Sequence, residues 1–149
     1  MGGWRVFVFF ITLPQLYFKL RIISDINKLN LVAHDELYRI DIQRVVYFQA
    51  DDHYSYVYYN SDVHLMLPFG LTDIESAIGK NETAQSRLVR MGRKYIVNTE
   101  RIMRISSTQC KLYLYDELGK THTVPLSKPV IRELLDASAT WNEVRDSRK

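Results

Sequence analysis

Short runs of alternating apolar and polar residues, separated by turn-forming residues, dominate the chain from residue 29 onward. These runs are rich in β-branched and aromatic side chains, which strands prefer. About ten of them are predicted as strands: residues 29–33, 36–40, 44–50, 54–59, 63–67, 88–89, 95–97, 102–103, 111–115 and 120–126. The breaks between them, such as His34-Asp35 and Asn60-Ser61-Asp62, predict tight turns between antiparallel neighbours.

The segment 71–79 has the apolar spacing of a short helix rather than of a strand. Three apolar residues recur on one side at helical spacing: Leu71, Ile74 and Ile78. Thr72, with Glu75 three residues later, matches the capping-box pattern, and Gly79 is suited to end the helix in a left-handed conformation. Residues 80–86 are polar and are predicted to form a loop.

A second helix is predicted near the end of the chain, with Ser127 as its N-cap. Its inward-facing residues are Val130, Ile131, Leu134 and Leu135. Strands far outnumber helices, so the pattern predicts a mainly β domain with one short central helix and a C-terminal helix. We place this domain at residues 29–139 and a polar tail at residues 140–149.

Residues 1–28 do not share this pattern. The apolar run at residues 4–13 has about half of the roughly 20 residues that a membrane-spanning helix needs. It is the end of a longer membrane segment, an extra element covering the domain, or a translated region of little structural meaning. Lys19, Arg21 and Lys28 suit a cytoplasmic flank, so membrane association through residues 4–23 is one expectation.

Composition narrows the function classes only slightly. The net charge is +3 and the pI about 9.0, a mild basic bias that is compatible with nucleic acid or an anionic membrane surface. The single cysteine, Cys110, excludes an internal disulfide. The four histidines show no metal-ligand spacing, and the chain has no phosphate loop or nucleophile elbow. We therefore expect neither a metal site nor a cofactor.

Asp51-Asp52-His53 is the one cluster that resembles acid/base or metal-binding chemistry. Adjacent residues on an extended chain point to opposite faces, and carboxylates on a turn usually accept hydrogen bonds from backbone N–H groups. We interpret this cluster as a turn that positions its neighbours. The chain is therefore not expected to be an enzyme.

Residues 87–105 carry six cationic side chains against a single acid, Glu100. The cations are Arg87, Arg90, Arg93, Lys94, Arg101 and Arg104. Short apolar stretches between them have the character of core-facing strand positions. This segment is either an ordinary solvated basic face or a rigid β scaffold that presents cations to a polyanion.

Three blocks, in this order, resemble the LytTR-type DNA-binding domain of bacterial transcription regulators over residues 29–139. Residues 45–54 are similar to the family pattern Ile-x-Tyr-Ile-Glu-Ala-x-x-x-Tyr. Residues 88–98 are similar to Phe-x-Arg-x-His-Arg-Ser-Tyr-Ile-Val-Asn, and residues 124–128 to Ile-Pro-Val-Ser-Arg. The resemblance decides between the two interpretations of the basic segment in favour of a polyanion, DNA.

The resemblance implies a stack of small antiparallel β-sheets whose loops enter successive major grooves of double-stranded DNA. Members act in two-component or related signalling and typically bind direct repeats as two copies, so a second copy of the chain on an adjacent repeat is an expected partner. The implied location is the cytoplasm. The alternative is a membrane-tethered or protein-partner-binding β module, located at the inner membrane with its DNA-binding domain in the cytoplasm.

The resemblance also assigns roles to residues of this chain. Arg93 takes the base-reading position of the second block and Lys128 the DNA-contacting position of the third, while Lys94 and Arg90 are expected to hold phosphates. The first block contributes its contact region: His53, Tyr54 and Ser55. Two further positions are implied to be structural, namely Tyr95 in the core and Asn98, whose amide holds a turn.

The chain departs from the family pattern at four positions. Gly92 and Lys94 stand where His and Ser are usual, and Gln49 stands where Glu is usual. Lys128 replaces arginine, and a point charge suits a phosphate better than a guanine edge. Lys128 is therefore expected to position the protein on DNA rather than to read sequence.

Overall fold

The computed structural model describes residues 26–139. Within this range the protein has ten strands, three complete α-helices and one 3-10 turn, and residues 26–27 are also helical. The strands are β1 (Lys28–Ala33), β2 (Glu36–Asp41), β3 (Tyr47–Asp51), β4 (Tyr54–Tyr58), β5 (His64–Leu67), β6 (Leu88–Met91), β7 (Tyr95–Asn98), β8 (Ile102–Ser106), β9 (Lys111–Tyr115) and β10 (Thr121–Pro125). The helices are α1 (Leu71–Ile78), α2 (Glu82–Arg87) and α3 (Lys128–Ser138), and the 3-10 turn is Thr99–Arg101.

The strands form three antiparallel sheets. Strands β1 and β2 form a hairpin, β5-β4-β3-β7-β6 form the largest sheet in that order, and β10-β9-β8 form the third. The predicted fold class, a mainly β stack of small antiparallel sheets with a C-terminal helix, is confirmed.

The five-stranded sheet is the middle layer of the stack. Phe48 and Ile96 are fully buried on one face, among residues of the β1–β2 hairpin and helix α1. Their neighbours Tyr47 and Val97 lie in the opposite cluster, with residues of β9, β10 and α3. Because successive side chains of a strand point to opposite faces, one sheet supplies both hydrophobic cores.

The first residues of helix α1 differ from the sequence prediction. The N-cap is Gly70, which makes no side-chain cap, so the capping box was wrong. Leu71 is buried and already helical, which places Thr72 inside the first turn. There its hydroxyl accepts a hydrogen bond from Arg90 at 3.3 Å.

The prediction of a loop was wrong for residues 82–86, and the prediction of a left-handed Gly79 was also wrong. Gly79 is right-handed, with φ −60°, and the chain turns directly into helix α2. The Asn81 side chain caps this helix by accepting a hydrogen bond from the Ala84 amide at 3.0 Å. Ala84 is the only buried residue of α2, so the segment lacks the apolar periodicity that would have indicated a helix.

The expectations for residues 1–25 and 140–149 lie outside the described residues. Domain boundaries at residues 28 and 139 and membrane association through residues 4–23 therefore stay predictions. Among residues 26–139, no helix is both long and apolar enough to cross a membrane.

A buried hydrogen bond between Asp116 and His122 stabilises the β9–β10 hairpin. Asp116 is buried, and its carboxylate lies 2.7 Å from His122 Nε2. The other carboxylate oxygen accepts hydrogen bonds from the amides of Leu118 and Lys120, each at 2.9 Å. Burial raises the pKa of Asp116, but the hydrogen bonds from His122 and the two amides outweigh burial, and the pKa lies below its usual value.

Acid is therefore expected to destabilise the protein through Asp116. A carboxyl group with a lowered pKa in the folded state stabilises that state above its unfolded pKa of about 3.9, and this stabilisation is lost as the pH falls through the folded pKa. Urea unfolding between pH 3 and pH 7 measures it. Asp116→Asn should be less stable at pH 7 and lose less stability below pH 4. An unchanged acid limb in the variant would exclude Asp116 as the cause.

Candidate nucleic-acid interface

The pairing of strand β3 brings two of the predicted DNA-contacting turns together. Strand β3 pairs with β4 at Asp51 and Tyr54 and with β7 at Gln49 and Tyr95. The β3–β4 turn and the β6–β7 turn therefore lie side by side at one end of the five-stranded sheet. The Ala50 amide donates a hydrogen bond to the Lys94 carbonyl at 2.8 Å, which connects the two turns directly.

The third predicted block reaches the same end of the sheet. A Cβ on Gly92 would lie 3.9 Å from Cγ2 of Val130 in the first turn of helix α3. Lys128 begins this helix, with Ser127 at the N-cap position. We give the name loop face to residues 52–54 and 92–94 on these adjacent turns, together with residues 127–128 at the start of the helix that approaches Gly92.

Left-handed backbone conformations shape both turns. Asp52 has φ 54° and Gly92 has φ 80°. Aspartate tolerates this conformation because its short side chain can hydrogen-bond locally, and glycine adopts it without steric cost. The departure at Gly92, where the family usually has histidine, places the most permissive residue next to Arg93.

Gly92→Ala is expected to lower the free energy of unfolding by about 1–2 kcal/mol, because a Cβ at positive φ meets the following carbonyl. The 3.9 Å distance to Val130 leaves room for the methyl group, so the cost arises in the backbone. Urea unfolding measures it. Gly92→Asn is the control and should lose less, since asparagine is enriched at positive φ. Equal losses would indicate a steric clash instead.

Exposed side chains of the loop face include five of the predicted contacts. Arg93, Lys94 and Lys128 are exposed, and their side chains have no hydrogen bond or ion pair with any described residue. His53 is 90% exposed, and Tyr54 is 49% exposed. The nearest acid to His53 is Asp52 at 3.7 Å, and both side chains are too exposed for this contact to hold them in place.

Other cations of residues 87–105 have partners within the protein. Arg87 lies 3.6 Å from Glu100. Arg101 donates a hydrogen bond to the Gln43 carbonyl at 2.7 Å, and the Arg104 guanidinium lies over the Tyr113 ring at 4.1 Å. Of the six cations in residues 87–105, Arg93 and Lys94 are the two without a partner among the described residues.

Two of the predicted DNA contacts, Ser55 and Arg90, are less exposed than the residues of the loop face. Ser55 is fully buried, so its side chain does not reach the loop face, and its hydroxyl has no hydrogen-bond partner among the described residues. Arg90 is one quarter exposed and is hydrogen-bonded to the β6–β7 turn. No sequence pattern indicates the partners of Arg90 on helix α1, Thr72 and Glu75, because they lie 18 and 15 positions earlier in the chain.

Asn98 secures the end of the strand that follows the tip. It is 1% exposed, and its side-chain amide donates to the carbonyls of Val45 and Ile42 at 2.8 and 3.3 Å. Its oxygen accepts a hydrogen bond from the Glu100 amide at 3.1 Å. Strand β3 begins at residue 47 rather than at the predicted residue 44, because the amides of Arg44 and Val45 bond to the Asp41 carbonyl in a turn.

The tyrosines of the sheet contact one another. The Tyr47 and Tyr58 rings stack at 4.6 Å, and Tyr58 also stacks with His64 at 5.4 Å. Burial raises the pKa of Tyr47 to about 12, and Tyr95 packs partly buried against the same core. This geometry agrees with a packing role for these rings.

The protein is a small, mainly β domain with exposed cations at the β6–β7 turn and at the first residue of helix α3. The sequence profile of the LytTr DNA-binding domain family matches residues 35–138. The chain belongs to this family, whose members are DNA-binding domains rather than enzymes. The predicted family is confirmed.

A solved structure supports the same fold. The protein is similar to a LytTr DNA-binding domain from Bacillus cereus, with a TM-score of 0.51 and 19% sequence identity. The match covers 77% of this chain and 98% of that one. At this identity the likeness shows the fold alone. A comparison with curated proteins finds no significant match.

Proposed function

We propose that the protein is a sequence-specific transcription regulator that reads successive major grooves through the loop face. The carrying observation is that Arg93 and Lys94 are exposed at the tip of the β6–β7 turn without partners among the described residues. Rigid strands hold this tip beside the β3–β4 turn and the start of helix α3. Such a surface presents separate contacts along a DNA duplex.

Each exposed residue of the loop face has a proposed role. Arg93 reads a base edge, because its planar guanidinium can donate two hydrogen bonds to the O6 and N7 atoms of guanine. Lys94 and Lys128 hold phosphates, which suit a compact ammonium charge. His53 and Tyr54 contact the duplex beside them. A DNA target supports the cytoplasm as the place where the protein works.

Selection of bound duplexes from a random pool at moderate salt tests this function with the full chain. We expect a consensus made of two direct repeats, with centres separated by about one helical turn of 10–10.5 base pairs or a multiple of it, since two copies would approach the same side of the duplex. Inverted repeats would contradict the direct-repeat arrangement. The absence of any consensus would contradict sequence-specific binding itself.

A further inference from the structure

The Arg90 side chain bridges the β6–β7 turn and helix α1. Its Nε donates a hydrogen bond to the Gly92 carbonyl at 3.2 Å, and its Nη2 donates to the Arg93 carbonyl at 3.3 Å. Its Nη1 donates to the Thr72 hydroxyl at 3.3 Å and lies 3.6 Å from the Glu75 carboxylate. All three nitrogen atoms of the guanidinium therefore have partners within the protein.

Because four groups of the protein surround the Arg90 guanidinium, few of its N–H donors are available to a phosphate. The Arg90 side chain is 25% exposed, whereas its neighbours at the tip, Arg93 and Lys94, are exposed and have no partner among the described residues. Arginine carries five N–H donors in a fixed planar fork, and lysine has three donors on a single nitrogen. A lysine at this position would keep the charge but could not reach both sides of the bridge.

The turn held by Arg90 needs an external support. Gly92 lies at positive φ, and glycine gives the backbone more conformational freedom than any other residue. Arg93 directly follows Gly92, so rotation of the Gly92-Arg93 peptide would change the direction of the Arg93 side chain. The two carbonyls that Arg90 binds belong to these same two residues.

We propose that Arg90 is a positioning residue that fixes the direction of Arg93 by joining its turn to helix α1, and that it does not contact a DNA phosphate. This inference rests on the proposed function, in which Arg93 reads a base. It changes the sequence-based expectation for Arg90, which was a phosphate contact. A positioning role and a phosphate contact predict different effects on DNA binding when the charge of residue 90 or the salt concentration is changed.

The first experiment compares the full chain with Arg90→Lys and Arg90→Gln on two duplexes of equal length, one selected by the wild-type chain and one of random sequence. Both variants are expected to lose about tenfold in affinity for the selected duplex, as removal of hydrogen bonds to a charged group predicts. Both should bind the random duplex with an unchanged salt dependence, because the number of neutralised phosphates is the same. Thermal unfolding checks that each variant is folded.

Arg87→Lys is a matched control. Arg87 is also 25% exposed and also lies 3.6 Å from a glutamate, Glu100, but its guanidinium does not bind the β6–β7 turn. It should bind both duplexes like the wild-type chain. Glu75→Gln removes one of the contacts of Arg90 and should lose affinity for the selected duplex in the same direction, by less than the Arg90 variants.

Two outcomes of these binding measurements would overturn the inference. Arg90→Lys could bind the selected duplex like the wild-type chain, or Arg90→Gln could lower the slope of log K against log salt by about 0.9, the value for one phosphate contact. Either outcome leaves the proposed function intact as long as the wild-type chain selects a consensus. Failure of that selection would instead overturn the proposed function.

Amide hydrogen exchange of the free protein supplies a readout without DNA. If Arg90 holds the turn, Arg90→Lys should speed exchange at the Ala50 amide, which donates a hydrogen bond to the Lys94 carbonyl at 2.8 Å. Exchange in the β9–β10 hairpin should be unchanged, because only local opening of the β6–β7 turn becomes easier. Arg87→Lys should leave all these rates unchanged. Equal rates at the Ala50 amide in Arg90→Lys and the wild-type chain would overturn the positioning role.

Discussion

Arg93→Ala is expected to remove most of the sequence preference of the protein while leaving most of its non-specific affinity for DNA. A bidentate contact between arginine and guanine contributes about 1–3 kcal/mol of discrimination, roughly 5- to 150-fold. The Arg93 side chain is exposed and has no hydrogen bond or ion pair with a described residue, so its removal should leave the fold unchanged. Binding to the selected duplex, compared with a random duplex of equal length, measures the effect.

Lys94→Ala is the matched comparison, because it removes a neighbouring cation from the same turn. As a phosphate contact, Lys94 should contribute equally to both duplexes, and its loss should lower the slope of log K against log salt by about 0.9. Arg93→Ala should also relax the consensus at one base pair of each repeat. Equal losses on both duplexes for Arg93→Ala would show that Arg93 contacts only the backbone of DNA.

The sequence predicted the scaffold of the loop face well, because that scaffold depends on local pattern. Alternating apolar residues placed the strands, and turn-forming residues such as His34 and Asp52 marked where they reverse; both have positive φ in the structure. Asn98 was expected to hold a turn, and it does so through three hydrogen bonds to backbone groups. Features of this kind can be predicted from the residues of one short segment.

Other features depended on a register that the sequence does not specify. Tyr54 and Ser55 were both expected at the interface, but adjacent residues of a strand face opposite sides of its sheet. In the structure Tyr54 is 49% exposed and Ser55 is 0% exposed. The family motif spans both residues, so only the pairing of β4 with its neighbours reveals which of them reaches the surface.

The partners of Arg90 could not be predicted from the sequence for a different reason. The sequence showed six cations in one segment, and charge alone does not reveal which of them are neutralised by the fold. Helix α1 approaches β6 only in the folded state, which brings Glu75 to within 3.6 Å of Arg90. Counting cations along the chain therefore overestimates how many of them are without partners in the folded protein.

The largest effect on stability is expected for Asn98→Ala. This change removes both donors to the carbonyls of Val45 and Ile42 and the acceptor for the Glu100 amide. A buried polar group that loses its partner costs about 1–3 kcal/mol. We expect the free energy of unfolding to fall by about 3–4 kcal/mol, a large part of the roughly 5–15 kcal/mol typical of a domain. Urea unfolding at pH 7 measures it.

Asn60→Ala is the control that separates the effect of losing a buried asparagine from the effect of what surrounds it. Asn60 is 5% exposed and its oxygen also accepts two backbone hydrogen bonds, from the amides of Asp62 and Val63 at 2.9 Å. Those two residues are exposed, so water can replace the lost acceptor and the expected loss is about 1 kcal/mol. Similar losses in the two variants would contradict the argument. A greater loss for Asn98→Ala would show that the stabilisation comes from pairing backbone groups that water does not reach.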